Sequence, residues 1–182
     1  WIAVIAALVL SRAIQVVCRR LRAEGEARRL VPGIILVAAL LPSVTQVAHV
    51  HPYYLSFYNV LIGGLPGAAR RGFEPTYWGD TYLAAVLWLN EKAPADATVW
   101  IDPPGMESVV KMYHYMGMMR PDLRTTAGPE GIDTADFAVS QNKPTEFSEQ
   151  VKALVRSRVP VWTERLDGVP LVFVWRLSAN AP

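Results

Sequence analysis

The chain has 182 residues, 52% of them hydrophobic and 19% charged, with a formal net charge of +2. Soluble domains average about 45–50% apolar and about 25% charged residues, so so few charges among so many apolar residues exclude intrinsic disorder. The single cysteine, Cys18, excludes a disulfide framework and a cysteine-based zinc site, and the near-neutral balance leaves no basic footprint for nucleic acid.

The average conceals two different parts. In residues 1–75 eight arginines face three glutamates, whereas residues 76–182 carry ten basic and thirteen acidic residues. From Leu30 through Ala69 there is no Asp, Glu, Lys or Arg. Soluble helices and strands each need a wet face, so the first part reads as membrane-embedded and the second as soluble. The chain opens on Trp1 without an initiator Met and is read as a fragment.

Residues 1–18 (WIAVIAALVLSRAIQVVC) are apolar on every face except at Ser11, Arg12 and Gln15. Eighteen helical residues span about 27 Å, close to the roughly 30 Å hydrocarbon core. Charges follow this run instead of preceding it, the wrong order for a signal peptide. Residues 30–50 (LVPGIILVAALLPSVTQVAHV) give a second span, with Pro32 in its first turn and Pro42 expected to kink its interior. Ser43, Thr45 and Gln46 lie close enough to help the carbonyl that Pro42 leaves without a donor. Between the spans, residues 19–29 carry five arginines against two glutamates, which places that loop in the cytoplasm and everything after Val50 outside.

Residues 51–59 (HPYYLSFYN) read as a short interfacial helix started by Pro52, with Tyr53, Tyr54, Phe57 and Tyr58 on one face as an aromatic belt. His49 and His51 form an H-x-H pair. Only His114, 63 residues downstream, remains as a third imidazole, so interfacial hydrogen bonding is the better reading than a metal. Gly63, Gly64, Gly67 and Gly72 make a Gly-rich linker that lacks the spacing of a nucleotide loop. Arg70 and Arg71 suit a phosphate or lipid headgroups equally.

The string HPYYLSFYN, then IGGLPGA, then EPTYWGDTYLAAVLWLN resembles the C-terminal part of bacterial multi-spanning glycosyltransferases. These are the family-39-like members of the C superfamily, similar to dolichyl-phosphate-mannose–protein mannosyltransferases. The resemblance covers residues 30–100. It implies transfer of a sugar from a polyprenyl-phosphate carrier to an extracytoplasmic acceptor, with the active site facing out of the cytoplasm. It also implies that the catalytic carboxylate belongs to a first external loop that no position here matches. The expected partners are membrane lipid, the lipid-linked donor and further N-terminal spans of the same chain, in a bacterial cytoplasmic membrane. No cofactor is indicated. Residues His49, His51, Tyr53, Tyr54, Asn59, Arg70, Arg71, Glu74, Tyr77, Trp78 and Asp80 are the expected substrate contacts at the lipid–water boundary.

Residues 76–182 read as a small mixed α/β domain. Residues 76–90 form a helix capped by Asp80 or Thr81, and residues 97–102 a buried strand, with Asp102 as a turn residue before Pro103. A helix over 107–119, strands at 122–126 and 135–140 and a helix over 147–158 follow. Strands at 159–165 and 169–177 are joined by an Asp167-Gly168 hairpin turn. The order α–β–α–β–β–α–β–β gives a sheet of mixed direction. No nucleophile elbow and no Cys nucleophile is present in this tail, which reads as accessory. Two rivals remain: a two-span anchored α/β binding or scaffold module without catalysis, and a soluble α/β enzyme with a buried helical hairpin.

Overall fold

The structure is a computed structural model that describes residues 2–20 and 25–177, and the chain divides into two compact units, Trp1–His51 and Pro52–Pro182. Of the Arg-rich loop, Arg22 and Glu24 lie outside the described residues, as does Trp1.

The first unit is two helices in contact with one another, α1 (Ile2–Arg20) and α2 (Gly25–Val50). Among the described residues one stretch, Leu30–Val50 of α2, is long and apolar enough to cross a membrane. It has 21 residues and a mean hydropathy of 2.0, and none of its apolar window is buried inside the protein. Helix α2 passes unbroken through Pro32 and Pro42. The Thr45 hydroxyl is shared between the carbonyls of Leu41 and Pro42, at 3.0 Å each. It therefore does not serve the carbonyl one turn before Pro42, the one the missing N–H leaves free.

The second unit opens irregularly. The helix expected over residues 51–59 is absent: a 3-10 turn at Tyr54–Ser56 gives way to extended backbone at Phe57 and Asn59. The aromatic residues therefore part company, with Tyr54 and Phe57 exposed and Tyr53 and Tyr58 half-buried. Asn59 Oδ1 accepts from Leu61 N at 2.7 Å and starts a second 3-10 turn, Val60–Ile62. The expected Gly-rich linker is largely a helix, α3 (Gly64–Arg70). Gly67 is there because a Cβ would meet the Ile62 carbonyl oxygen at 1.8 Å.

Beyond it lie α4 (Tyr82–Lys92), β1 (Thr98–Asp102), α5 (Glu107–Tyr115), β2 (Arg124–Ala127) and β3 (Phe137–Gln141). They are followed by α6 (Glu149–Ser157), β4 (Trp162–Leu166) and β5 (Val169–Arg176). The five strands form one sheet in the order β2-β1-β3-β5-β4, with β1 parallel to β2 and β3, and β5 antiparallel to β3 and β4. The element order is the one the sequence predicts, and the mixed direction comes from the hairpin. Its turn holds Asp167 at φ 51° and Gly168 at φ 79°, the two left-handed positions of a type I′ turn.

Every residue of β3 is buried, as a strand covered on both faces requires. On one face, Val99, Ile101, Phe137, Val139, Val172 and Val174 pack against Tyr82, Val86 and Leu89 of α4 and Val110 of α5. On the other, Trp100, Ala138 and Trp175 pack against Val151 and Leu154 of α6. Alternation along each strand sends its side chains to these two cores in turn. Arg120 closes the C-terminus of α4: its guanidinium donates to the carbonyls of Asn90, Ala93 and Pro94 at 2.9–3.0 Å and to Asp122.

Candidate functional site

From β1 the chain passes to β2 on one side of it and then returns to β3 on the other, with α5 and α6 packed on opposite faces. That reversal is a topological switch point, and in α/β sheets the crevice outside the carboxyl ends of such strands is where ligands bind. Here the crevice lies between Asp102, ending β1, and Gln141, ending β3.

Residues 74–82 run across these strand ends as a strap. Glu74 Oε1 accepts from Thr145 N at 3.2 Å, and Gly79 N donates to Gln141 Oε1 at 3.2 Å. The Tyr82 hydroxyl donates to the Asp102 carbonyl and accepts from Gln141 N at 3.4 Å. At the Glu74 end the Tyr58 hydroxyl donates to the Glu74 carbonyl at 2.6 Å and lies 3.4 Å from the Tyr77 hydroxyl. Lys143, ion-paired with Glu146, stands 5.7 Å from the centre of the Tyr77 ring. Between these anchors Trp78 adopts φ 59°, a left-handed conformation that is unusual for a bulky residue, and its side chain is 81% exposed.

The strap carries polar groups that the fold leaves unpaired. Oε2 of Glu74 and the hydroxyls of Thr76 and Thr81 are shielded from solvent without a hydrogen-bond partner; both carboxylate oxygens of Asp80 are shielded too, eased only by the backbone of Thr81 and of Asp80 itself. Asp80 does not cap α4 as the sequence predicts, because the residue at the cap, Thr81, makes no side-chain cap bond either. Burial pushes the Asp80 carboxyl up to about 6. Its charge in turn helps to raise the phenols of Tyr53 and Tyr113, though burial is the larger cause for both; Tyr53 also bonds to Glu164. The Tyr58 phenol is raised by burial first and then by its bond to Tyr77.

Asp102 ends the buried strand β1 just before Pro103, where the sequence places it. It is 1% exposed, with Oδ2 accepting from Ser148 N at 3.4 Å just before α6 and Oδ1 unpaired. Its carboxyl is raised, chiefly by burial, with the Glu146 charge adding and the Ser148 bond opposing.

The structure thus brings Glu74, Tyr77, Trp78 and Asp80 of the predicted set onto one strap, with Tyr53 close enough for its phenol to feel the Asp80 charge. The others are elsewhere. His49 and His51 belong to the first unit, at the end of α2. Asn59 serves its 3-10 turn. Arg71 is committed to the carbonyls of Ile62 and Gly67, at 2.7 and 2.9 Å. Arg70 lines a shallow cleft of about 470 Å³ with Asn142, Asp167 and Pro170. Gln141, Lys143, Glu146 and Ser148 complete the site and were not predicted. The signal for them was a run of polar residues from Ser140 onward, at the carboxyl end of a strand that begins apolar, where α/β ligand groups are placed.

With Glu74, Asp80, Asp102 and Glu146 set against Lys143, the strand ends repel anions and suit hydroxyl donors. A carboxyl near 6 can also take or give a proton close to neutrality. Among the described residues no three His, Cys, Asp or Glu side chains converge as metal ligands do. Comparison of the chain with protein-family models, curated proteins and solved structures found no match.

Proposed function

We propose that this chain is the C-terminal part of an integral-membrane glycosyltransferase. The enzyme moves a sugar from a polyprenyl-phosphate carrier to an acceptor outside the cytoplasm, and its catalytic carboxylate lies in a first external loop N-terminal to Trp1. Helices α1 and α2 are its last two spans, the Arg-rich loop faces the cytoplasm, and the α/β unit is extracytoplasmic. The observation that carries this reading is a juxtaposition along the chain. An apolar 21-residue helix with none of its window buried is followed by the segment that bears the transferase resemblance, and that segment concentrates unpaired polar groups at the strand ends. A core helix of a soluble enzyme would be wrapped by its own protein, so the exposed apolar surface of α2 supports a lipid environment.

On this reading Tyr77 and Trp78 meet the hydroxyl-bearing acceptor or the sugar of the donor, with the covered Asp80 carboxyl close behind them. The decisive experiment is transfer of labelled hexose from a polyprenyl-phosphate hexose by the full-length protein in proteoliposomes. Asp80→Asn and Tyr77→Phe are expected to lower transfer at least tenfold at unchanged protein level. Full activity in both removes these residues from the site. No transfer by the intact protein leaves the second reading, a membrane-anchored binding module without catalysis. One observation favours that second reading: the carboxylates of Asp80 and Asp102 are covered by protein.

A further inference from the structure

The segment between the apolar helix and the α/β core carries exposed apolar side chains. Leu61 is 88% exposed and Val60 58%, and the neighbouring Tyr54, Leu55 and Phe57 are exposed as well. Leucine and valine exposed in a 3-10 turn stand where a soluble domain would place polar turn residues. The backbone of the turn is fixed locally: Asn59 caps it through Leu61 N, Gly63 ends it at φ 88°, and Arg71, at the end of the following helix, donates to the Ile62 carbonyl.

The geometry points to a membrane wedge: Val60 and Leu61, preceded by Tyr54, Leu55 and Phe57, insert into the outer leaflet. The occupant follows from the covalent chain. Val60 and Leu61 follow Val50, the last residue of the apolar helix, by only ten and eleven residues. A patch tethered so closely along the chain to a span stays at high effective concentration beside the bilayer. The chemistry agrees. No charged residue occurs from Leu30 through Ala69, so neither the span nor the wedge carries a desolvation penalty for an ionised group. The first charges beyond are Arg70 and Arg71, the sign that anionic headgroups attract. This wedge replaces the four-aromatic helical belt of the sequence reading, two of whose members, Tyr53 and Tyr58, are engaged inside the domain. It rests on the membrane reading above, and the test separates the two.

Nitroxide labels are placed singly on the full chain, in a Cys18→Ser background, as Leu61→Cys, Val37→Cys and Val159→Cys. Val37 is an exposed residue of α2, and Val159 is 90% exposed on the α/β unit. The protein is reconstituted in vesicles of phosphatidylethanolamine and phosphatidylglycerol. Collision of each label with oxygen, which concentrates in lipid, is compared with collision with a water-soluble nickel chelate. The expected result is a several-fold higher oxygen-to-nickel ratio at 61 than at 159, approaching that at 37. If 61 matches 159 while 37 remains lipid-like, the wedge is wrong and the membrane reading stands. If 37 is as nickel-accessible as 159, both fall. If 61 is shielded from both reagents, protein covers the patch and the wedge is again wrong.

Discussion

Asp80 carries an electrostatic cost that the backbone of Thr81 and of Asp80 itself relieves only in part, and this makes a pH-dependent prediction. Its folded carboxyl titrates near 6 against 3.8 for the unreacted group, because burial disfavours the charged form. Between those values the folded state binds the proton and the unfolded state does not, so stability falls as pH rises through about 4 to 6 and the full penalty is present at neutral pH. After allowance for partial exposure, that penalty is on the order of 1–2 kcal/mol. Asp80→Asn is therefore expected to raise the melting temperature of the full chain in detergent at pH 7.5 and to change it little at pH 4. Thermal scans followed by near-UV circular dichroism at both values check this; equal effects at the two would refute the electrostatic account. The same substitution is expected to lower transfer, so one side chain would be destabilising and functional together, as happens where a site is strained for its task. Asp102, raised in the same direction by its burial, adds to the loss over acidic to neutral pH.

Elements show how much the sequence discloses and where it stops. Burial on alternate or helical spacing made the order of strands and helices in the α/β unit legible, and Asp167-Gly168 announced its own turn. That turn predicts that Gly168→Val destabilises by about 1–2 kcal/mol in a denaturant titration. The cost is purely conformational, since a Cβ there meets nothing within 4 Å while φ is 79°. Residues 51–59 misled because helical spacing of aromatics says which residues share a face only if a helix forms. Here Tyr53 and Tyr58 find partners at Glu164 and Glu74 that only the tertiary fold supplies. Asp102 ended its buried strand as read, but its partner, Ser148, lies 46 residues on and is supplied only by the tertiary fold. Arg120 was equally silent in the sequence, yet it satisfies three carbonyls at the end of α4. Arg120→Met should lower the melting temperature clearly. Lys111→Met, which breaks only an exposed 3.0 Å pair with Glu107 on α5, should leave it unchanged.

At the scale of the whole chain, the two cores of the α/β unit are built only from residues between Tyr82 and Leu177. A domain of about 130 residues is long enough to bury a sufficient core, and its sheet is covered on both faces by its own helices. Residues 52–182 expressed alone are therefore expected to fold cooperatively. The exposed Val60–Leu61 tip would drive such a product to aggregate, so Val60→Ser and Leu61→Ser should accompany the truncation. Urea unfolding monitored at the buried Trp100 and Trp175 should give a single transition. A soluble product with far-UV but no near-UV circular dichroism would mean that packing depends on the helices or on parts of the protein N-terminal to them. In that case the switch point and its strap would take their shape only within the membrane-bound whole, and the unpaired groups along the strap would be read as contacts waiting for that partner.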